Sequence, residues 1–225
     1  MYKRQISDRK CDVPFLTSLY EAGMNVVRIN TAHQLPETTE EVLEKIHAVS
    51  NDIAILVDTK GPEVRTGELE DAIPVSTGDK VTVECRGRDG IKTTREVLQV
   101  NYPDFAKDVP VGTSILIDDG YLELRVDSKT DEKLECTIMN NGEFKRFKSV
   151  NVPGVSIKLP SLTDKDKSFI RFACDHNLDF IAHSFVRHAQ DVRDVQAIID
   201  ESGKDIKIIS KIENQEGVDN IDEII

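Results

Sequence analysis

The chain has 225 residues, 39% of them apolar, enough for one good core or two small ones. With 29 basic and 41 acidic residues the net charge is −12, which disfavours broad attraction to nucleic acid or anionic lipid but allows a local basic pocket. No run reaches the ~20 apolar residues of a membrane-spanning helix, and MYKRQISDRKC has positive charge without a following apolar stretch, so neither a membrane partner nor a secretory signal is expected. Cys11, Cys85, Cys136 and Cys174 stand far apart with no C-x-x-C pair, which predicts a reduced, cytoplasmic chain without disulfides or a zinc site.

The chain opens on a stunted strand in which only Gln5 and Ile6 precede a polar run. Phe15, Leu16, Leu19 and Ala22 then have helical spacing and stop at Gly23, a C-terminal cap. Met24 to Ile29 reads as a strand. Thr38, with Glu41 three residues on, predicts a capping box, and Val42, Leu43, Ile46 and Val49 form the buried stripe of the helix that follows. Ile53 to Val57 is continuous and mostly β-branched, as strands buried on both faces are.

From about Pro62 to Ser156 alternation replaces the helical period. Val81, Val83 and Cys85 share one strand face; Leu122, Leu124 and Val126 share another after the turn Asp119-Gly120. Leu134 to Met139 meets Asn140-Asn141-Gly142 and is expected to return as a hairpin over Glu143 to Phe147. This zone predicts a small antiparallel β barrel or sandwich. From Thr163 the alternation of helix and strand resumes: a helix around Lys165 to Cys174, a strand at Leu178 to Ala182, a helix with Val192, Val195, Ile198 and Ile199, a strand at Ile206 to Ser210 and a short helix from Gln215. Such alternation predicts a parallel sheet, with the β zone inserted in one of its connections.

In parallel α/β folds chemistry collects where the strands end, because loop side chains converge there. These ends are Arg28-Ile29-Asn30, Asp58-Thr59-Lys60, His183-Ser184 and Lys211-Ile212-Glu213-Asn214. Lys211 and Glu213, two apart, lie on one side of an extended segment. At ~4 Å and an effective dielectric of ~20 they attract by about 4 kcal/mol, which suits a fixed positive group beside a metal-binding carboxylate. A solvated strand edge explains the same pair. Asp58 to Arg65 packs ionisable groups around a Gly-Pro turn, which fits either a site or a charged domain boundary. His33 and His183 are ligands or hydrogen-bonded loop residues, with no His or Cys partner at metal spacing.

MNVVRINTAH at 24–33, DTKGPEVRTG at 58–67, LIDDGYLEL at 116–124, KSVNVPG at 148–154, LPSLTDKD at 159–166, IAHSFVR at 181–187 and IISKIENQEGV at 208–218 follow one another in a familiar order. On these runs the chain resembles the pyruvate kinase family. The resemblance implies an α/β fold, a partial (β/α)8 TIM barrel in residues 1–61 and 158–225 with a small antiparallel β-barrel lid domain inserted at 62–157. It implies phosphoryl transfer from phosphoenolpyruvate to ADP, giving pyruvate and ATP. Lys211 and Arg65 would be catalytic, Arg28 and Lys211 would bind substrate, and Asn30, His33, Arg65 and Lys148 would bind the nucleotide. Glu213 would hold magnesium or manganese, and Asn30, Asp58 and Thr59 potassium, with Glu63 matching the potassium-dependent members. The complete family enzyme is a homotetramer.

Three positions depart from the family pattern. Ala32 stands where a serine ligand of potassium is usual, Ser149 replaces the glycine after the nucleotide lysine, and His183 replaces a small residue. The family continues beyond the equivalent of Ile225 with a second metal carboxylate, further barrel strands and a regulatory domain. The chain by itself is therefore expected to be inactive, with an unstable or self-associating barrel part and a β domain able to fold alone. Other readings are a non-catalytic β module that binds a nucleotide or protein, or a metal-dependent lyase or aldolase acting on an enolate through Lys211 and Glu213.

Overall fold

The computed structural model describes residues 3–6 by backbone alone, 11–85 and 92–225, leaving out the side chain of His33. The chain divides into two compact units, Met1–Pro62 with Pro160–Ile225, and Glu63–Leu159.

The first unit begins with strand β1 (Lys3–Ile6), helix α1 (Val13–Glu21) and strand β2 (Val26–Asn30). Asp12 caps α1 by accepting from the Phe15 N–H at 2.8 Å, and Gly23, at φ 95°, takes the left-handed position past its end. A 3-10 turn (Thr31–His33) leads to α2 (Pro36–His47) and β3 (Ala54–Asp58). The expected capping box is corrected here. Pro36, with its fixed φ and missing N–H, starts α2 two residues before Thr38, so Thr38 lies inside the first turn. Its hydroxyl accepts from the Leu35 N–H at 3.3 Å, and Glu41 has no part in the cap.

The second unit holds β4 (Ile73–Val75), β5 (Lys80–Glu84), β6 (Val97–Gln99), α3 (Phe105–Asp108), β7 (Ser114–Ile117), β8 (Leu122–Lys129), β9 (Lys133–Ile138), β10 (Gly142–Phe144) and β11 (Val150–Asn151). Alternation sends Val81, Val83, Leu122, Leu124, Val126, Leu134, Cys136 and Ile138 inward, around the fully buried Phe105 and Phe144. Six strands run in the order β11-β7-β8-β9-β5-β6, and the segment 64–67 closes the sheet. On one side of it the Thr66 N–H donates to the Lys148 carbonyl at 2.9 Å; on the other the Gly67 N–H donates to the Gln99 carbonyl at 2.7 Å. A Cβ on Gly67 would stand 2.7 Å from Gln99 Cβ, so this approach requires glycine. The sheet is thus a small barrel with no free edge at the join.

The predicted hairpin between β9 and β10 is also corrected, because β10 pairs antiparallel with β4 in a separate two-stranded sheet. Asn140 explains the departure. Its amide oxygen accepts from the Glu123 N–H at 2.8 Å and its amide nitrogen donates to the Tyr121 carbonyl at 2.8 Å. The turn residue is thereby tied to β8 rather than folding its own strand back.

The chain returns through α4 (Asp164–Asp175), β12 (Phe180–His183), α5 (Ala189–Ser202), β13 (Lys207–Ser210), α6 (Gln215–Asp219) and α7 (Ile221–Ile224). The first unit's sheet is wholly parallel, in the order β1-β2-β3-β12-β13. The start of the chain is less eroded than its composition suggests: Lys3 to Ile6 pair in register with Val26 to Ile29, since the ladder is made by backbone groups whatever the side chains. Val27, Ile29, Ile55, Val57 and Ile181 pack against the helices, and Val26, Leu56 and Ala182 cluster on the opposite face. Arg28 and Asp58 share the period of that second face. Among the described residues no helix is long and apolar enough to cross a membrane.

Candidate active site

Asp58, at the end of β3, is the hub of the first unit's site. Its side chain is only 3% exposed, and both oxygens face cations. Arg28, from the neighbouring β2, donates from Nε to Oδ2 at 2.5 Å and pairs again through Nη2. Lys211, just past β13, donates from Nζ to Oδ1 at 3.1 Å. The register that sets Ala182 opposite Asp58 and Ser210 opposite His183 brings these strand ends level. Lys211 also donates to Ser184 Oγ at 2.7 Å and lies 3.3 Å from Glu213 Oε1. Two cations and two carboxylates are thus gathered at the carboxyl ends of β2, β3 and β13. At such separations and an effective dielectric of ~20 each opposite pair attracts by about 5 kcal/mol, which offsets the cost of burying Asp58.

Glu213 is held from the other side. Its Oε2 accepts from the Phe185 N–H at 3.1 Å, and Phe185 sits at φ 57°. A non-glycine residue there costs about 1–3 kcal/mol, and such strain gathers at functional sites. Gly61, at φ 70°, lets the β3 loop pass close by, since a Cβ on it would be 3.0 Å from the Phe185 ring.

The oxygen donors suit hard cations. Among the described residues no group of three or more His, Cys, Asp or Glu could hold a metal. Glu213, with its side chain 36% exposed, offers a carboxylate of the kind that hard divalent cations take. The proposed monovalent-ion ligands are close in sequence and register but partly engaged. Asn30 Oδ1 accepts from the Ala32 N–H at 2.9 Å, while Thr59 Oγ1 donates to the Ala182 carbonyl at 3.3 Å and accepts from the Ser184 N–H at 3.2 Å. Each acceptor keeps a second lone pair, so the set remains compatible with an ion. Ala32 adds no side-chain oxygen, and its carbonyl accepts from Lys165 Nζ at 3.3 Å.

Arg65 and Lys148 belong to the second unit. Arg65 lies on the closing segment, bridged to Ser149. Its guanidinium donates to Glu63 Oε2 at 2.9 and 2.6 Å and to the Phe147 carbonyl at 2.5 Å. Lys148 Nζ pairs with Asp118 Oδ1 at 2.9 Å, with its side chain 38% exposed. Asp118 and Asp119 both take the left-handed conformation, at φ 53° and 57°, which fixes this turn. The side chain of His33 lies outside the described residues.

His183 is not the hydrogen-bonded loop residue considered above. It is 1% exposed, and among the described residues neither ring nitrogen has a partner. Burial pushes its imidazole below the ordinary histidine value, against the pull of Asp191, Asp166 and Asp194 and with a smaller push from Arg187. Ser184 is the residue that motif reading passed over: its strand end was flagged by sequence, but its bond to Lys211 depends on a fold that joins residues 27 apart.

Comparison with known proteins gives this arrangement its family. The profile described as "Pyruvate kinase, barrel domain" matches residues 6–225. The chain belongs to the pyruvate kinase family. The pyruvate kinase of Borreliella burgdorferi is 52% identical over 220 residues, covering 97% of this chain and 45% of that protein. That of Staphylococcus epidermidis is 43% identical over 217 residues, covering 93% of this chain and 37% of that protein. The chain therefore spans less than half the length of these curated relatives. Pyruvate kinases are phosphotransferases, and the five parallel strands with their inserted β barrel are the portion of the pyruvate kinase barrel domain that this chain carries.

Proposed function

We propose that this chain carries the phosphoryl-binding cations of a pyruvate kinase, which transfers the phosphoryl group of phosphoenolpyruvate to ADP and releases pyruvate and ATP. The observation that carries the reading is the pair of cations, Arg28 and Lys211, on the buried Asp58 with Glu213 alongside. Phosphoryl transfer needs little covalent help, so positioned positive charge supplies most of the catalysis. Arg28 holds phosphoryl oxygens. Lys211 faces both the moving phosphoryl group and the enolate oxygen, where negative charge grows as the bond breaks. Glu213 would hold magnesium or manganese, which would supply positive charge to offset the negative charge of the reacting groups. Asn30, Asp58 and Thr59 would hold potassium. Arg65, Lys148, Asn30 and His33 contact the nucleotide. Four buried free cysteines accord with a reducing, cytoplasmic setting.

The test is ADP-dependent pyruvate formation from phosphoenolpyruvate, assayed on the chain alone and on the chain joined to the C-terminal remainder of the Borreliella burgdorferi enzyme. The joined protein is expected to turn over, and Lys211→Met to lower kcat at least about 100-fold. A folded joined protein that is inert, or that is indifferent to Lys211→Met, overturns the reading.

A further inference from the structure

The Lys211 ammonium has three described oxygens close by, two to which it donates a hydrogen bond and one, on Glu213, with which it forms an ion pair. Two are carboxylate oxygens, Asp58 Oδ1 at 3.1 Å and Glu213 Oε1 at 3.3 Å. The nearest is neutral, Ser184 Oγ at 2.7 Å. Ser184 is 2% exposed, and its single hydroxyl proton goes to the Thr59 carbonyl at 2.5 Å. With that proton committed, only lone pairs remain to face Lys211, and an ammonium can only donate. The carrier is fixed as well: the Ser184 N–H donates to Thr59 Oγ1 at 3.2 Å, and the Thr59 N–H donates to the Ala182 carbonyl at 3.0 Å. The chain of bonds has one sense, from Lys211 to Ser184 to the backbone of Thr59.

We propose that Ser184 is a positioning residue for Lys211, aiming its ammonium at the transferring group; the proposal rests on the phosphoryl-transfer reading above. Its chemical value is its neutrality. Asp58 is shared with Arg28 and Glu213 serves a divalent ion, so each carboxylate has another charge to satisfy and each cancels part of the lysine's field. Ser184 holds the ammonium near its full charge and stays in place when an anionic oxygen displaces Glu213 as a partner. No short sequence motif marks this role, because the hydroxyl is oriented by the end of one strand and used by the end of another.

The test reads Lys211 directly. The full chain is acylated with a small activated ester under limiting conditions, and modification at each lysine is followed by peptide mass spectrometry in the parent, Ser184→Ala, Ser184→Thr and Ser184→Cys. An ammonium released from its nearest acceptor is expected to label at least about fivefold faster in Ser184→Ala, with Lys204 and Lys207 unchanged, and Ser184→Thr is expected to restore parental labelling. Hydrogen exchange over β12 and β13 establishes that each variant is folded. Should the alanine variant fail to fold, the cysteine variant, close in size and a poor acceptor, carries the same comparison. Unchanged Lys211 labelling in a folded alanine or cysteine variant, or threonine behaving like alanine, overturns the proposal. The readout needs no turnover. A labelling shift without phosphotransfer removes the functional reading and leaves the positioning, whereas phosphotransfer without a shift removes the positioning alone.

Discussion

The two units handle charge in opposite ways. In the parallel unit Asp58 is buried and its cations are aimed by separate strand ends. In the β barrel Lys148 and Asp118 pair at 38% and 27% exposure, where solvent screens them. The same residue types are therefore strongly coupled in one place and weakly in the other, and the difference is desolvation rather than distance, since Lys148–Asp118 at 2.9 Å is shorter than Lys211–Asp58 at 3.1 Å.

That contrast yields measurable differences. The largest is expected at Asp58→Ala, which leaves Arg28 and Lys211 facing one another and should destabilise the parallel unit by about 3–5 kcal/mol in urea unfolding. A loss below about 1 kcal/mol would mean that the cluster is solvated like the barrel's pairs. An intermediate effect is expected from His183. Its folded value lies below its ordinary 6.5, so below that pH the unfolded chain takes up a proton that the folded chain resists. Stability should thus be full above about pH 6.5 and decline as pH falls through that value, with His183→Gln showing a shallower decline. Equal acid sensitivity in parent and variant would place the effect elsewhere. The smallest effect is expected at Asp118→Asn, under about 1 kcal/mol and vanishing in 1 M salt. A larger, salt-resistant loss would make the barrel's ion pair as consequential as the buried one.

Much of the architecture was legible because periods are local. Runs such as Ile55-Leu56-Val57 and Leu122-Glu123-Leu124 state their burial in the order of their side chains, and the structure buries all three residues of the first run and both leucines of the second. The misses were competitions that periodicity does not contain. Pro36 overrode Thr38 as the helix start, Asn140 turned an expected hairpin into a partnership with β4, and the polar opening of the chain paired through its backbone. At the site, Arg28, Asp58, Lys211 and Glu213 were marked by sitting where apolar strands stop. Which of them touch was not marked, and Ser184 had no assigned role.

By itself the sequence determined the alternation of helix and strand, the switch to antiparallel β structure near Pro62, and the charged groups at strand ends, because each depends on neighbours a few residues away. Only the tertiary structure decided that Asp58 would serve two cations at once, that Ser184 would hold Lys211, and that the His183 ring would be buried with no described partner. Those outcomes depend on register between strands far apart in the chain, where a shift of one residue would turn every side chain to the other face.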